Sequence, residues 1–318
     1  MKVLVAGDAN LDLVLRGDVV PRFGQAEQLL DSADLVLGSS AGICASGLAR
    51  LGLDVALVAR VGADVFGDQT LRLLAANGVE TAAILRGGEP TGVSVILSGV
   101  DDRAILTLTG AMTGLTAADV RSATFPEPGE GPGRIGRIGL LHVASYFLLP
   151  GLAEGLPALL AEARERGVTT SLDTNWDPAQ AWAGVAECLP HLDVFLPNAA
   201  EALAIARALG GEPGDAESAA RLLAGHGPVV AVKVGAAGGF AVAGDLLVRA
   251  PGLAMDVVDT TGAGDSFDAG FLAAWLSGLD LATAVRWGTT AGSLSTRGAG
   301  GTGGQPTRAE LEDALARV

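Results

Sequence analysis

The sequence predicts an α/β protein: a doubly wound, mostly parallel sheet with helices on both faces, plus a small β-sheet lid. Three observations carry that prediction. Short β-branched runs alternate with helical patterns over most of the 318 residues, as successive βαβ units require. Apolar residues make up 49% and charged residues 18%, which supplies a sizeable core and excludes a disordered chain. Two stretches, at about 12–37 and 91–109, look strand-like but have no helix to cover them. They are expected to form a lid inserted into a single domain spanning 1–318.

In chain order, Val3–Gly7 is a short apolar run stopped by Asp8, a first strand and too short for a secretory segment. A turn at Pro21 and Gly24 leads into strand-like Gln28–Leu37. Gly42–Leu51 has a helical pattern, Val55–Val61 a strand pattern and Gly67–Ala76 a helical one. Gly92–Gly99 and Arg103–Leu108 pair as a hairpin turned at Asp101 and Asp102, and Pro126–Arg137 is a Gly/Pro-rich surface loop. The alternation resumes with strand Leu140–Ala144, helix Leu152–Arg166, strand Val168–Asp173 and strand Val194–Pro197. It continues with helices Ala199–Leu209 and Ala216–Ala224 and strand Val229–Val234. A strand is expected to end near Asp259, followed by helix Gly264–Leu276. The last helix, Arg308–Arg317, opens with Thr307 and Glu310 at capping-box spacing. In such a sheet a ligand crevice belongs at the carboxyl ends of the parallel strands.

Composition narrows the function. The net charge is −15, with no stretch dense in Lys or Arg, so general binding to nucleic acid or to an anionic membrane surface is disfavoured. The longest charge-free run, Ile138–Ala153, contains Pro150 and Gly151 and is too short and too broken to span a bilayer. Cys44 and Cys188 match no metal or redox spacing and are expected as buried small hydrophobes. A cytoplasmic protein is expected. No G-x-G-x-x-G turn follows the first strand and no Walker A sequence occurs, which argues against a nicotinamide dehydrogenase and a P-loop enzyme.

The strongest chemical signal is VVDTTGAGDSFDAGFLAAWL, residues 257–276. Small residues open a helix whose first N–H groups, from Gly262, Ala263 and Gly264, can converge on an anion favoured by the helix dipole. Asp265 is an unusual residue for such a site. It either caps the helix or accepts a proton from a hydroxyl that attacks a phosphoryl group. G-x-G-D alone is expected about 0.5 times by chance in this composition, and requiring Asp-Thr-Thr before it lowers that to roughly one in ten thousand.

These residues resemble the second signature of the PfkB (ribokinase-like) family of carbohydrate and nucleoside kinases, and the resemblance runs over essentially the whole chain. Gly7–Asp12 (GDANLD) is similar to that family's first strand and turn, which implies that Asn10 and Asp12 bind substrate hydroxyls. Gly38–Gly52 (GSSAGICASGLARLG) sits where the first signature belongs, with Gly38, Ser39 and Ile43 at substrate-facing positions. DTNWD at 173–177 resembles a D-x-N-x-R strand end. Asn198-Ala-Ala-Glu201 resembles the N-x-x-E motif that organises Mg²⁺ and phosphates, Glu201 acting through water. Lys233, Gly235 and Gly238 (KVGAAG) are similar to the family's nucleotide-binding strand and turn, which implies that they bind the nucleotide. The resemblance also implies a monovalent cation, such as K⁺, near Asp259 and Thr261. Read without the family, Asn198 and Glu201 are an N-cap and a first-turn acid. The acids at 8, 12 and 18 include surface charge, and only Asp12 is assigned a role.

The sequence departs from the family on the substrate side. Ser39 replaces the second glycine of the first signature, and Ile43 replaces an Asn that binds sugar hydroxyls. Asp177 stands where an Arg is expected, and Ser145 where some relatives place a substrate-binding Glu. The implied activity is ATP- and Mg²⁺-dependent phosphorylation of a hydroxyl on a small sugar or sugar acid. A nucleoside (adenosine-like) kinase and a non-catalytic ligand-binding relative are the alternatives, and scarce aromatics (4%) favour sugars. Ile43 offers no hydrogen bond, so ribose is expected to be poor and a deoxy edge preferred, as in a 2-keto-3-deoxy sugar acid, although no basic residue for its carboxylate is evident. By analogy of fold, lid strands with apolar outer faces pair in a homodimer.

Overall fold

Chain direction within the sheet decides where the site lies. In this computed structural model, which describes residues 1–24, 27–99, 103–125 and 137–317, eight strands form the main sheet. Their order is Leu246–Ala250, Gly239–Ala243, Val229–Lys233, Val194–Phe195, Thr169–Asp173, Ile138–Ala144, Lys2–Ala6 and Val55–Val58. The first two join by antiparallel pairing and the other six run parallel. From the Lys2–Ala6 strand the chain moves first to Val55–Val58 on one side and later to Ile138–Ala144 on the other. The resulting switch point opens a crevice at the carboxyl ends of the two strands.

Alternation within the strands builds two cores. Val3 and Val5 pack with helices Ser40–Arg50, Ala263–Leu276 and Leu281–Ser295, whereas Leu4 and Ala6 face the layer that includes Pro150–Glu165 and Ala199–Ala208. The lid is a separate four-stranded sheet in the order Leu30–Leu37, Leu11–Gly17, Val93–Ser98 and Arg103–Leu108. Its outermost strand, Arg103–Leu108, is exposed along its length.

Several sequence expectations change. The predicted strand Val55–Val61 is two pieces, Val55–Val58 and Arg60–Gly62, the second pairing with Leu85–Gly87 in a two-stranded ribbon. No strand precedes the Gly-rich turn: the chain from Pro251 to Asp259 is irregular, and Val257 and Val258 are exposed. Their β-branching therefore reflects no sheet. The lid also contains a strand at Leu11–Gly17 where only a turn and a later strand were expected. The helix Leu281–Ser295 and the strand pair Gly239–Ala243 and Leu246–Ala250 were not predicted. The expected turn at Asp101 and Asp102 and the loop Pro126–Arg137, except Arg137, lie outside the described residues.

Candidate active site

The segment before the central helix is held by a carboxylate. Asp259 Oδ1 accepts Thr261 N–H at 2.9 Å and Thr261 Oγ1–H at 2.7 Å, and Oδ2 accepts Gly300 N–H at 3.0 Å. Burial opposes ionisation of Asp259, but these bonds outweigh it and hold the carboxyl below its usual range. Gly262 then takes φ 72°, a left-handed geometry that favours glycine, and Ala263–Leu276 begins. Ile43 packs against Gly262 and Gly301, so a side chain at either glycine would overlap it. Ala263 N–H is engaged by Thr260 O at 3.3 Å, which leaves Gly262 and Gly264 as the better-placed anion donors.

That helix start is shared by two cavities. One, of about 300 Å³, is lined by Lys233, Gly235, Gly238, Thr260, Ala263 and Gly264, with Leu253, Met255 and Phe267 as apolar walls. The other, of about 650 Å³, contains Asn10, Asp12, Ser39, Ile43, Ser145 and Asp265, together with Thr261 and Gly262. Asp265 makes no hydrogen bond that would cap its own helix. Burial pushes its carboxyl up to about 8, the charge of Asp173 adds to this, and Lys233 opposes it.

The larger cavity is built from strained backbone. Ser39, Ser145 and Asn175 all have φ between 56° and 69°, an uncommon region for side-chain-bearing residues that clusters at functional sites. Asn175 Oδ1 accepts Ser145 N–H at 2.8 Å and Asn175 Nδ2 donates to Ser40 Oγ at 2.7 Å, so three chain segments are locked at the cavity wall. Gly38 does not line the cavity; it lies against Asp12, and a Cβ there would overlap the Asp12 carboxylate. Asp12 itself is pushed up to about 7, by burial first and then by Asp8.

Two residues that line the larger cavity escaped the sequence reading. Asp8, grouped there with surface acids and given no role, is buried; it accepts the N–H groups of Ser40 and Ala41 at 3.3 and 3.0 Å and lines the larger cavity. Arg103, on the outer lid strand, lines the same cavity. Its only sequence signal is a lone Arg opening an otherwise uncharged strand. Asp177, at the position of an expected Arg, is instead a loop former that accepts the N–H groups of Ala179, Ala181 and Trp182 at 2.7–2.8 Å.

Asn198 and Glu201 line neither cavity. They form a reciprocal capping box, in which Asn198 Oδ1 accepts Glu201 N–H at 3.0 Å and Glu201 Oε2 accepts Asn198 N–H at 2.8 Å. Glu201 is also buried, and burial followed by the charge of Asp173 pushes its carboxyl up to about 7. The ammonium of Lys233 turns to Asp173 at 2.8 Å and Asp268 at 3.1 Å.

This fold and this pair of cavities define a ribokinase-like phosphotransferase. The sequence profile of the pfkB family of carbohydrate kinases matches residues 3–308, and the chain belongs to that family. It is a carbohydrate kinase, a phosphotransferase with an alcohol group as acceptor. A ribokinase of Bacillus subtilis is 29% identical over 318 residues, covering 98% of this chain and 99% of the relative. An ATP-dependent ribose-1-phosphate kinase of Halopiger xanaduensis is 32% identical over 313 residues, covering 96% and 95%. An E. coli chain assigned as a ribokinase II superposes with a TM-score of 0.82 at 19% identity, over 100% of this chain and 99% of that one. This last likeness concerns the fold alone.

Proposed function

We propose that the protein transfers the γ-phosphoryl group of ATP to a hydroxyl of a small sugar or sugar acid, with Asp265 as the base. One observation carries this reading: Ala263 and Gly264 face the smaller cavity while Gly262 and Asp265 face the larger. A phosphate arriving from the first and a hydroxyl held in the second therefore meet at one helix N-terminus. Asp265 takes the hydroxyl proton, and the N–H groups of Gly262 and Gly264, with the helix dipole, hold charge developing on the transferring group. Asn10 and Asp12 orient the acceptor's other hydroxyls. The apolar walls Leu253, Met255 and Phe267 suit a purine, and the E. coli neighbour was solved with ATP and Mg²⁺.

Glu201 offers a hard oxygen donor of the kind Mg²⁺ prefers, whereas Asn198 Oδ1 already accepts the N–H groups of Ala200 and Glu201; the buried Glu201 carboxyl is one that a nearby cation would help ionise. Mg²⁺, when bound, would neutralise phosphate charge, and Glu201 would be the residue to orient its waters. A monovalent cation fits less well beside Asp259 and Thr261. Both Asp259 oxygens already accept hydrogen bonds, and Arg16 Nη2 lies 3.6 Å from Oδ2 as counter-charge. No step here depends on such an ion.

For the acceptor, Ile43 gives the larger cavity an apolar edge and Arg103 gives it a cation. A deoxy sugar acid matches both, the carboxylate meeting the guanidinium. Trp176, half exposed at the same cavity, supports a second reading, a nucleoside acceptor stacked on the indole. Retention of Asp265 speaks against a non-catalytic relative. Among the described residues no helix is long and apolar enough to cross a membrane. The free thiols of Cys44 and Cys188 suit the cytoplasm, and exposed Leu106 and Leu108 on the lid suit a homodimer. A coupled ADP-release screen over aldoses, ketoses, sugar acids and nucleosides tests the reading. Turnover of a sugar or sugar acid supports it; turnover of nucleosides alone moves the assignment to the second reading, and no turnover with any acceptor rejects both.

A further inference from the structure

Beside Asp265 lies a buried ionic cluster, one member of which, Lys233, also lines the smaller cavity. Asp173 ends the strand Thr169–Asp173, Lys233 ends Val229–Lys233, and Asp268 lies one turn beyond Asp265 on the same helix face. One oxygen from each of Asp173, Asp265 and Asp268 lies within 4.8 Å of the others. Lys233 Nζ bridges Asp173 at 2.8 Å and Asp268 at 3.1 Å, with all three side chains largely buried. Asp268 also faces Asp173 closely enough to share a side-chain hydrogen bond with it. The ammonium supplies the counter-charge to Asp173 and Asp268.

Burial opposes the charge of Lys233, but Asp173, Asp268 and Glu201 outweigh it and hold the ammonium above the usual lysine range. Burial keeps Asp268 well above the carboxylate range, whereas the Lys233 charge overcomes burial and lowers Asp173. Lys233 is thus the counter-charge to Asp173, and Asp268 is held toward its neutral form. Besides these groups, Asp265 faces Asp8 from the end of the first strand, while Asp12 and Arg103 line its cavity. Glu201, His142 and the Cys44 thiol face the cluster from neighbouring elements.

We propose that Lys233 is a positioning residue for phosphoryl transfer, pairing with Asp173 so that Asp265 has beside it a compensated ion pair rather than a lone buried anion. This rests on Asp265 being the base. Lys233→Met leaves Asp173 uncompensated and should move the acid limb of the kcat/KM–pH profile to higher pH by about one unit or more. Lys233→Met combined with Asp173→Asn restores neutrality and should return the limb to the wild-type position. An unmoved limb in folded Lys233→Met, or a double variant that keeps the single variant's limb, overturns the proposal. Should Lys233→Met not fold, as judged by circular dichroism, the double variant decides alone, and a displaced limb or lost turnover there counts against it. The limb belongs to Asp265 if it vanishes from the residual rate of Asp265→Asn. Should that variant keep wild-type activity and limb, it is the reading of Asp265 as base that fails.

Discussion

The guanidinium of Arg103 donates to Thr261 Oγ1 at 2.9 Å, which ties the lid to the segment that precedes helix Ala263–Leu276. Arg103 thereby lines the larger cavity while touching the loop that leads into Gly262. Arg103→Ala should lower kcat/KM for a sugar acid by about 10–100-fold, the scale of a lost charge-assisted hydrogen bond. Neutral sugars should lose less than about tenfold, because they have no carboxylate partner to lose and keep Asp12 and Asn10 in place. Steady-state kinetics on both classes checks this. Equal losses would mean that Arg103 acts through the lid alone.

The raised carboxyl of Asp265 sets a pH dependence. Below its folded-state value of about 8 the group carries a proton and cannot accept another. In the free enzyme kcat/KM should therefore climb as pH rises from about 6 to 9. Asp12, raised to about 7, acts in the same direction. A profile flat across this window would remove Asp265 as the base.

Glu201 has a structural duty and a proposed metal duty, and one substitution separates them. Glu201→Gln keeps a capping-box partner for Asn198 N–H but removes the charge. It should leave Tm within about 3 °C of wild type, the scale of under 1 kcal/mol for a domain this size. The Mg²⁺ concentration for half-maximal rate should rise about tenfold or more, as expected when a group orienting metal ligands is lost. Unchanged Mg²⁺ dependence would leave Glu201 as a cap.

Arg16 beside Asp259 predicts little need for a monovalent cation. Replacing K⁺ with tetramethylammonium should change kcat by less than about twofold, since the counter-charge is built into the lid. Activation by K⁺ of tenfold or more would put a cation at that carboxylate instead.

Ile43 predicts acceptor choice. Ile43→Asn introduces a donor and an acceptor at the cavity wall and should raise kcat/KM for ribose relative to a deoxy sugar acid by about tenfold, the value of one satisfied hydrogen bond. Ribose preferred by the unaltered enzyme would contradict the role given to Ile43.

Much of this site was legible because its chemistry is local in sequence. Thr260 to Asp265 bend, open a helix and present a carboxylate within six positions, so the residue types report the geometry directly. The βαβ alternation likewise reported the parallel sheet. Other parts were hidden for physical reasons. Arg103 and Thr261 are 158 residues apart, and nothing beside either residue announces the contact. Asp8 follows a strand, where charge usually meets solvent, yet it is buried because the N-terminal N–H groups of helix Ser40–Arg50 solvate it. Leu281–Ser295 is rich in Gly, Ser and Thr, which weaken a helical reading, but close packing on Ala263–Leu276 uses those small residues: a Cβ at Gly292 would crowd Ala263 O. Val257 and Val258 misled in the opposite sense, their β-branching suggesting a strand where the chain is irregular and exposed.

The central claim is that Asp265 deprotonates an acceptor hydroxyl at a helix start shared by two cavities. The most direct test is ³¹P NMR of the product formed from ATP, Mg²⁺ and the best acceptor found by screening, with wild-type protein and Asp265→Asn compared at equal ATP occupancy. The account predicts a sugar phosphomonoester with the wild type, a rate at least about 10²-fold lower with the variant, and nearly unchanged ATP affinity because the backbone anion site survives. Phosphomonoester formed by Asp265→Asn within a few-fold of the wild-type rate would contradict it.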